Sequence, residues 1–356
     1  IDPKVIAKTA AERGFPAIAI SDRNGLYGSV AFAKACKDVG VQPVIGTMLA
    51  VARPEREGAA PGFGAQAPTI DWLGLYAQDA TGYDNLCHLV SRAHLERPLE
   101  FAPHVVLADL VGHTDGLLCL TAGGEGALTR LLAEGQMPAA NAYCDRLREL
   151  FPDRLYLELV RRGDKVEEAG EEALIEMAYA RDLPLIATNP ACFAERTFYA
   201  AHDAMLCIAS STHVDSVDRP RSSQEWWIKP AEIMEHLFSD VPEALANTLV
   251  VAQRTAFMPP KRKPILPSLA GDKEGEARMC AEDSRTGLVA RLQPYYPEAC
   301  HAELAQVLCA GPDVDLAADD FPQLVEAGVF QEVLDYRARL EFEIGIINRM
   351  GFGGYF

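Results

Sequence analysis

The chain has no long hydrophobic run, no paired cysteines and no excess of positive charge. A membrane-spanning helix needs roughly 18 apolar residues or more, so none is predicted, and no signal peptide is visible. The nine cysteines are scattered without a Cys-x-x-Cys pair, which favours reduced core cysteines over disulfides or a zinc site. The net charge of −18 predicts a surface that repels phosphate backbones. We therefore expect a cytoplasmic protein that contacts other proteins rather than membranes or DNA.

The motifs of several large enzyme classes are also missing. The chain has no GxSxG, HExxH or HxH sequence, and its eight histidines show no metal-binding spacing. The glycine loop at residues 121–126 lacks the lysine of a P-loop, so an ordinary turn is favoured over a phosphate cradle. Four glutamates alternate with apolar residues, which predicts a solvated helix face rather than an acid–base pair. They are Glu167, Glu168, Glu171 and Glu172.

What the chain does have is an alternation of strand and helix patterns. Short apolar runs typical of buried strands lie at Ala17–Ile20, Pro43–Val51, Trp72–Ala77, Gly116–Thr121, Leu155–Val160 and Leu185–Thr188. Helical periodicity is expected at residues 5–13, 30–39, 82–93, 126–133, 139–151, 166–181, 198–209 and throughout 230–254. This alternation predicts an α/β fold, either a parallel barrel or a doubly wound sheet, with its site at the carboxyl ends of the strands.

A proline-rich stretch at residues 258–267 is the best domain boundary, because only helical patterns follow it. The prediction is a β/α barrel at 1–258, a linker at 259–270 and a helical segment at 271–356. The basic run Lys261–Lys263 falls in this linker and is interpreted as a solvated cluster rather than a phosphate contact.

The residues after the first predicted strand carry a family resemblance. Residues 17–28 are similar to the second motif of the PHP (polymerase and histidinol phosphatase) domain, which stands at the N-terminus of bacterial DNA polymerase III α subunits, the C-family polymerases. The similarity continues in order through 42–46, 82–86, 155–159, 186–189, 201–203, 242–248 and 339–356, and is weakest at 293–330. It implies a distorted β/α barrel of PHP type, followed by the helical start of the polymerase palm.

The resemblance also implies that both ends of the chain are cuts within a longer protein. The first strand and HxH motif of the PHP domain would precede Ile1, and the chain opens without methionine. The palm aspartates of the family, which hold two Mg²⁺ ions for nucleotidyl transfer, would follow Phe356. We therefore expect no catalytic residue and no cofactor in this segment, with Mg²⁺ in the palm of the intact polymerase.

Metal-binding members of the PHP family place their ligands at the ends of the barrel strands. In this chain the matching positions hold Arg23, Met48, Trp72, Arg162 and the closing segment Pro190–Cys192. Arginine, methionine, tryptophan and proline do not replace hard-metal ligands, and Cys192 alone cannot hold a metal cluster. The resemblance therefore implies a degenerate PHP cleft with no metal ligands.

Further polar residues complete this cleft: Asp22, Glu158, Asn189 and His202. We expect Arg23 and Arg162 to form salt bridges with Asp22 or Glu158. Glu158 lies within a strand and needs a partner, for which Arg161 is also a candidate; a structural and a site role remain equally open. His202 is interpreted as a satisfied, partly buried histidine rather than a metal ligand.

The function implied by the resemblance is that of the N-terminal part of a replicative DNA polymerase. The intact protein would be a DNA-directed DNA polymerase that binds primer–template DNA and dNTPs through its downstream domains. The PHP domain would act as a scaffold that docks the proofreading exonuclease and other replisome subunits. Two alternatives stay open: an active PHP metallo-phosphoesterase or 3′–5′ exonuclease, and a free-standing non-catalytic binding module.

A single substitution tests the degenerate cleft. Arg23→His is expected to create no affinity for zinc or manganese, because the other ligand positions are also changed. Titration calorimetry of the variant and the unsubstituted protein with either metal checks this. Tight binding by the variant alone would contradict the interpretation.

Overall fold

The computed structural model describes residues 1–54, 68–97, 100–260, 262 and 268–356. The basic run predicted at Lys261–Lys263 lies outside the described residues except for Arg262. Contacts between residues divide the chain into two compact units, Ile1–Pro260 and Lys261–Phe356. Each unit has its own hydrophobic core.

One mixed sheet organises the first unit. Its strands are β1 (Ala17–Arg23), β2 (Gln42–Ala52), β3 (Ile70–Ala77), β4 (Leu117–Leu120), β5 (Leu155–Val160) and β6 (Leu185–Thr188), and they neighbour one another in chain order. All six predicted strands are therefore confirmed. The sheet forms a half-barrel surrounded by helices, as expected for a distorted PHP-type barrel.

The strand directions differ from the parallel arrangement that the alternation suggested. The pairs β1–β2, β4–β5 and β5–β6 are parallel, whereas β2–β3 and β3–β4 are antiparallel. Ala52 at the end of β2 pairs with Ile70 at the start of β3, and Ala77 at the end of β3 pairs with Leu117 at the start of β4. Where the end of one strand lies beside the start of the next, the two strands are antiparallel and no crossover connection is needed. The expectation of an all-parallel sheet was therefore wrong.

The helices of the first unit surround this sheet. They are α1 (Pro3–Glu12), α2 (Ser29–Asp38), α3 (Ala80–Leu95), α4 (Ala127–Ala133), α5 (Met137–Leu150), α6 (Lys165–Arg181), α7 (Tyr199–Ala209), α8 (Ala231–Leu237) and α9 (Pro242–Arg254). The continuous helix expected over 230–254 is broken between α8 and α9, because Pro242 begins a new helix and cannot continue the preceding one.

The two faces of the sheet bury different side chains. Leu155, Leu157 and Leu159 of β5 point into the main core beneath α3 to α6. Alternate residues of a strand face opposite sides, so Tyr156 and Glu158 point to the other face, where Tyr156 packs in a smaller apolar cluster. A carboxylate is thereby buried on the second face of the sheet, at the carboxyl end of β5.

Among its described residues, the second unit contains helices joined by turns and loops, and no strand. It contains α10 (Lys273–Leu292), α11 (His301–Cys309), α12 (Pro322–Glu326) and α13 (Phe330–Met350). Leu304, Leu324 and Val333 are fully buried in its core. Arg285 donates two hydrogen bonds to Glu341, at 2.7 and 2.9 Å, which ties α10 to α13.

Cysteine usage and hydropathy agree with the sequence-based expectations. None of the nine cysteines, all of which lie among the described residues, forms a disulfide, and six of them are buried. No helix among the described residues combines the length and apolar character needed to cross a bilayer.

Candidate functional site

The cleft residues gather where β1, β5 and β6 end. Arg23 is the last residue of β1, Arg162 follows β5 by two residues, and Cys192 follows β6 by four. Desolvation raises the pKa of the Cys192 thiol, while the nearby charges of Arg162 and Arg23 lower it and Glu125 raises it. Cys192 and Arg162 both contact Trp226: the backbone N–H of Cys192 donates to the Trp226 carbonyl at 2.8 Å, and the Arg162 guanidinium lies 5.7 Å from the centroid of the Trp226 ring.

Arg23 spans the cleft from β1 to two other elements. Its guanidinium donates to both carboxylate oxygens of Glu125, each at 2.8 Å, and lies 4.6 Å from the centroid of the Trp72 ring. Asp22, the expected partner, instead accepts the backbone N–H of Gly28 at 3.0 Å and fixes the loop before α2. At its end of the cleft, the Arg23 guanidinium is therefore paired with a carboxylate and stacked on an indole ring.

Met48 contributes its backbone rather than its side chain. Its carbonyl accepts the N–H of Asn24 at 2.8 Å, immediately after β1 ends. Asn24 has a positive φ of 45°, and its side chain donates to the carbonyl of Pro103 at 2.8 Å. This position therefore shapes the loop that leaves β1.

Arg162 forms the most deeply buried ion pair of the cleft. Its Nη2 lies 2.7 Å from Oε1 of Glu167, and its backbone N–H donates to the same carboxylate at 3.2 Å. The two side chains are only 10% and 4% exposed. The guanidinium also lies 5.7 Å from the centroid of the Trp226 ring.

The prediction of a solvated glutamate face on α6 was wrong for two of the four residues. Glu167 is buried against Arg162, and Glu171 pairs with Arg161 at 2.7 Å. Burial raises the pKa of Glu167, although the charge and hydrogen bonds of Arg162 lower it. Glu168 and Glu172 are exposed as expected.

Glu158 is satisfied without the arginine partner that we expected. One carboxylate oxygen accepts the N–H of Ala122 at 2.8 Å, and the other accepts the hydroxyl of Thr188. Ala122 adopts a left-handed φ of 61°, which turns the glycine loop toward β5. Burial raises the pKa of Glu158, while these two hydrogen bonds and the charge of Arg162 lower it.

The residues after β6 are held by backbone and hydroxyl partners. The Asn189 amide donates to the carbonyl of Trp227 at 2.9 Å, and Pro190 is exposed. His202 shares a hydrogen bond of 2.7 Å with the hydroxyl of Ser222, and desolvation lowers the pKa of its imidazole. Both observations fit a satisfied, neutral His202.

Two residues of the cleft escaped the sequence analysis. Glu125 lies in the glycine loop and pairs with Arg23. Lys229 has a side chain only 2% exposed; its ammonium lies 3.4 Å from the Asn189 side-chain oxygen and 3.5 Å from the Glu225 carboxylate. Burial lowers the pKa of Lys229. The feature of the sequence that could have indicated Lys229 is its position directly after the apolar residues 226–228.

Comparison with known proteins shows a family similarity for the first unit. Residues 1–162 match the model of the PHP domain family. This match covers a little under half of the chain. It is 39% identical to DNA polymerase III subunit alpha of Caulobacter vibrioides over 99% of this chain and 28% of that protein. The same subunit of Escherichia coli K12 is 31% identical over 99% of this chain and 27% of its own length.

The matched relatives are much longer than this chain. The chain spans little more than a quarter of their length and aligns with their N-terminal part. Among solved structures, a proposed metal-dependent phosphoesterase from Bifidobacterium adolescentis superposes with a TM-score of 0.36 at 14% identity, over 52% of this chain and 81% of that one.

The cleft does not fit the metal ions that the similarity to the PHP family suggests. Within the ranges that the structure describes, no group of three or more His, Cys, Asp or Glu side chains is arranged to hold an ion. The carboxylates of Glu125 and Glu167 are engaged by guanidinium groups, and that of Glu158 by a backbone N–H and a hydroxyl. The carboxylate oxygens that could ligate a metal ion therefore already accept hydrogen bonds within the protein.

The protonation of Glu158 should be visible in the pH dependence of stability. Burial raises the pKa of its carboxyl above the ordinary value of 4.5. The contribution of Glu158 to stability therefore falls as pH rises above that value. Glu158→Gln removes this loss, and Gln can still accept from Ala122 and donate to Thr188. The melting temperature of the variant relative to wild type should therefore increase from about pH 4.5 toward neutrality.

Glu168→Gln is the matched control, because Glu168 is an exposed glutamate on α6. Its melting temperature should follow that of wild type at a constant offset. Parallel curves for both variants would contradict the assigned environment of Glu158.

Proposed function

We propose that this chain is the N-terminal PHP region of a replicative DNA polymerase III α subunit, in which the PHP domain is a scaffold rather than a metallohydrolase. The observation that carries the proposal is the pairing of Arg23 with Glu125 and of Arg162 with Glu167, where metal-binding relatives would place ligands. The similarity to polymerase subunits over 99% of the chain supports the parent activity.

In the intact protein, the proposed activity is template-directed DNA synthesis. The Mg²⁺ ions and the three carboxylates that hold them would belong to the downstream palm, together with the sites for primer–template DNA and dNTPs. The surface of this segment, with a net charge of −18, suits protein docking better than contact with a phosphate backbone. The proposed location is the cytoplasm.

The parent activity is tested with the full-length protein that carries this chain. Magnesium-dependent extension of a primer on a DNA template is expected. A reading frame that ends without a glycine- and serine-rich loop and an Asp-x-Asp sequence would instead favour the free-standing binding module.

The rival metallo-phosphoesterase makes a different prediction for the same protein. It requires several metal ions per chain and metal-dependent hydrolysis of phosphate esters or of 3′ DNA ends. Elemental analysis that finds stoichiometric zinc or manganese in the PHP region would favour this rival. The scaffold proposal expects neither bound metal nor hydrolysis from this region.

The best docking surface in the first unit is the outer face of α7. Met205 and Ile208 are 57% and 78% exposed, and Ala201 lies one turn earlier on the same stripe. Val214 and Val217, in the segment after the helix, are also largely exposed. Exposed apolar residues that cluster at helical spacing are typical of a protein-binding face.

The charges around α7 also favour a protein partner. Residues 196–221 contain three basic and three acidic residues, whereas the whole chain carries −18. A second copy of so acidic a chain would be repelled at long range, while a partner of opposite charge would be attracted. We propose the separate proofreading exonuclease subunit as the occupant of this face.

A charge placed on this face should weaken exonuclease binding. Ile208→Asp, in the full-length protein, should raise the dissociation constant for the exonuclease about ten-fold or more, because a central apolar contact is replaced by a charge. Leu95→Asp is the matched control, since Leu95 is 81% exposed at the end of α3. Equal affinities of the two variants, measured by surface plasmon resonance, would place the docking surface elsewhere.

A further inference from the structure

Three side-chain cations converge where the metal-binding relatives would hold ions. Arg23 belongs to β1, Arg162 to the turn after β5, and Lys229 to the segment before α8. The Arg162 guanidinium lies 5.7 Å from the centroid of the Trp226 ring, and the Lys229 ammonium lies 6.0 Å from that of the neighbouring Trp227. The backbone of Gly124, which precedes the Arg23 partner Glu125, lies against the side chain of Glu167, the partner of Arg162. The electrostatic influence of the cations on nearby groups agrees with these contacts. The charge of Arg162 lowers the pKa of Lys229, and Arg162 and Arg23 both lower the pKa of Cys192.

Each cation ties a strand end to another element. Arg23 joins β1 to the glycine loop through Glu125 and to β3 through Trp72. Arg162 joins the end of β5 to α6 through Glu167. Lys229 joins the end of β6 to the segment before α8, since its ammonium contacts both the Asn189 oxygen and Glu225. The three ties together connect the carboxyl ends of β1, β5 and β6 to neighbouring elements.

We propose that these three cations form a permanent cation lattice that holds the strand ends together in place of bound metal ions, and that Arg162 is its essential member. The lattice rests on the proposed metal-free scaffold and adds the interactions that replace the metal. A covalently attached cation cannot dissociate, so the fold of this region should not depend on the supply of divalent ions.

Arg162 is essential because its pair is the least accessible to water. The Arg162 and Glu167 side chains are 10% and 4% exposed, against 58% and 31% for Arg23 and Glu125. Solvent screens the exposed pair, so its contribution is small. Removing one partner of a buried pair leaves an uncompensated charge, which is strongly destabilising. Glu158 and Glu167 line the same cavity, and the Asp164 carboxylate accepts the backbone N–H of Glu167 at 3.3 Å, so the loss of Arg162 would leave several carboxylates close together.

The test is a double-mutant cycle read by hydrogen exchange in the full-length protein, with peptides that cover β5 and the first turns of α6. Arg162→Met should speed exchange of these amides about ten-fold or more relative to wild type. Arg162→Met combined with Glu167→Gln should recover most of that protection, because the orphaned charge is gone. Exchange in the second unit should not change.

Two further variants keep the test decisive. Arg146→Met is the matched control, since Arg146 pairs with Glu149 at 2.9 Å on the exposed surface of α5, and it should leave exchange unchanged. If Arg162→Met does not fold, Arg162→Lys retains the charge and should fold with near-normal protection. Failure of Arg162→Lys and of the neutral double variant to fold would overturn the lattice.

The outcomes separate the lattice from the scaffold proposal. Equal exchange in Arg162→Met and Arg146→Met, or a double variant no better protected than the single one, would overturn the lattice and leave the scaffold standing. Stoichiometric metal in the wild-type PHP region, with exchange that speeds up on chelation by EDTA, would overturn both. Wild-type exchange that is unaffected by EDTA agrees with the lattice.

Discussion

The cost of burying a carboxylate governs the carboxyl end of this sheet. Glu158 and Glu167 are both less than a tenth exposed, and neither can stay ionised there without compensation. The chain compensates them in two ways. Glu167 receives a guanidinium from Arg162, whereas Glu158 receives a backbone N–H and a hydroxyl, and burial shifts its pKa toward the neutral form. A metal ion is a third way to compensate a buried carboxylate. Here the carboxylate oxygens that would bind a metal ion already accept hydrogen bonds.

The strands were predictable from the sequence because the signal for them is local. Each is a short apolar run bounded by polar or glycine residues, and all six runs lie in the sheet. The direction of a strand, by contrast, is not encoded in its own residues. Whether β3 runs with or against β2 depends on where the chain re-enters the sheet after residue 52, and no periodicity within a strand encodes that return. The parallel expectation failed for that reason at β2–β3 and β3–β4.

The site could be predicted in position but not in pairing. Residues that follow strand ends share one edge of a sheet, so Arg23, Arg162 and Cys192 could be placed together from the family motifs. Their partners come from other elements. Glu125 is 102 residues from Arg23, and nothing in the glycine loop marks its glutamate as a partner. Glu167 was misjudged because helical periodicity does not show that the turn before a helix folds back onto its first residues.

The segment that covers the cleft also determines which face α7 exposes. Asp203 of α7 accepts two hydrogen bonds from Arg219, at 2.9 and 2.7 Å, and His202 bonds to Ser222, so the two most polar side chains of this helix point inward. Trp226, a few residues further on, lies over the Arg162 guanidinium. The stripe left on the outside is apolar, and its orientation depends on the same segment that Arg162 and Lys229 hold in place. Contacts between side chains keep that orientation constant, whereas contacts through exchangeable ions would make the orientation of the proposed docking face depend on the supply of metal.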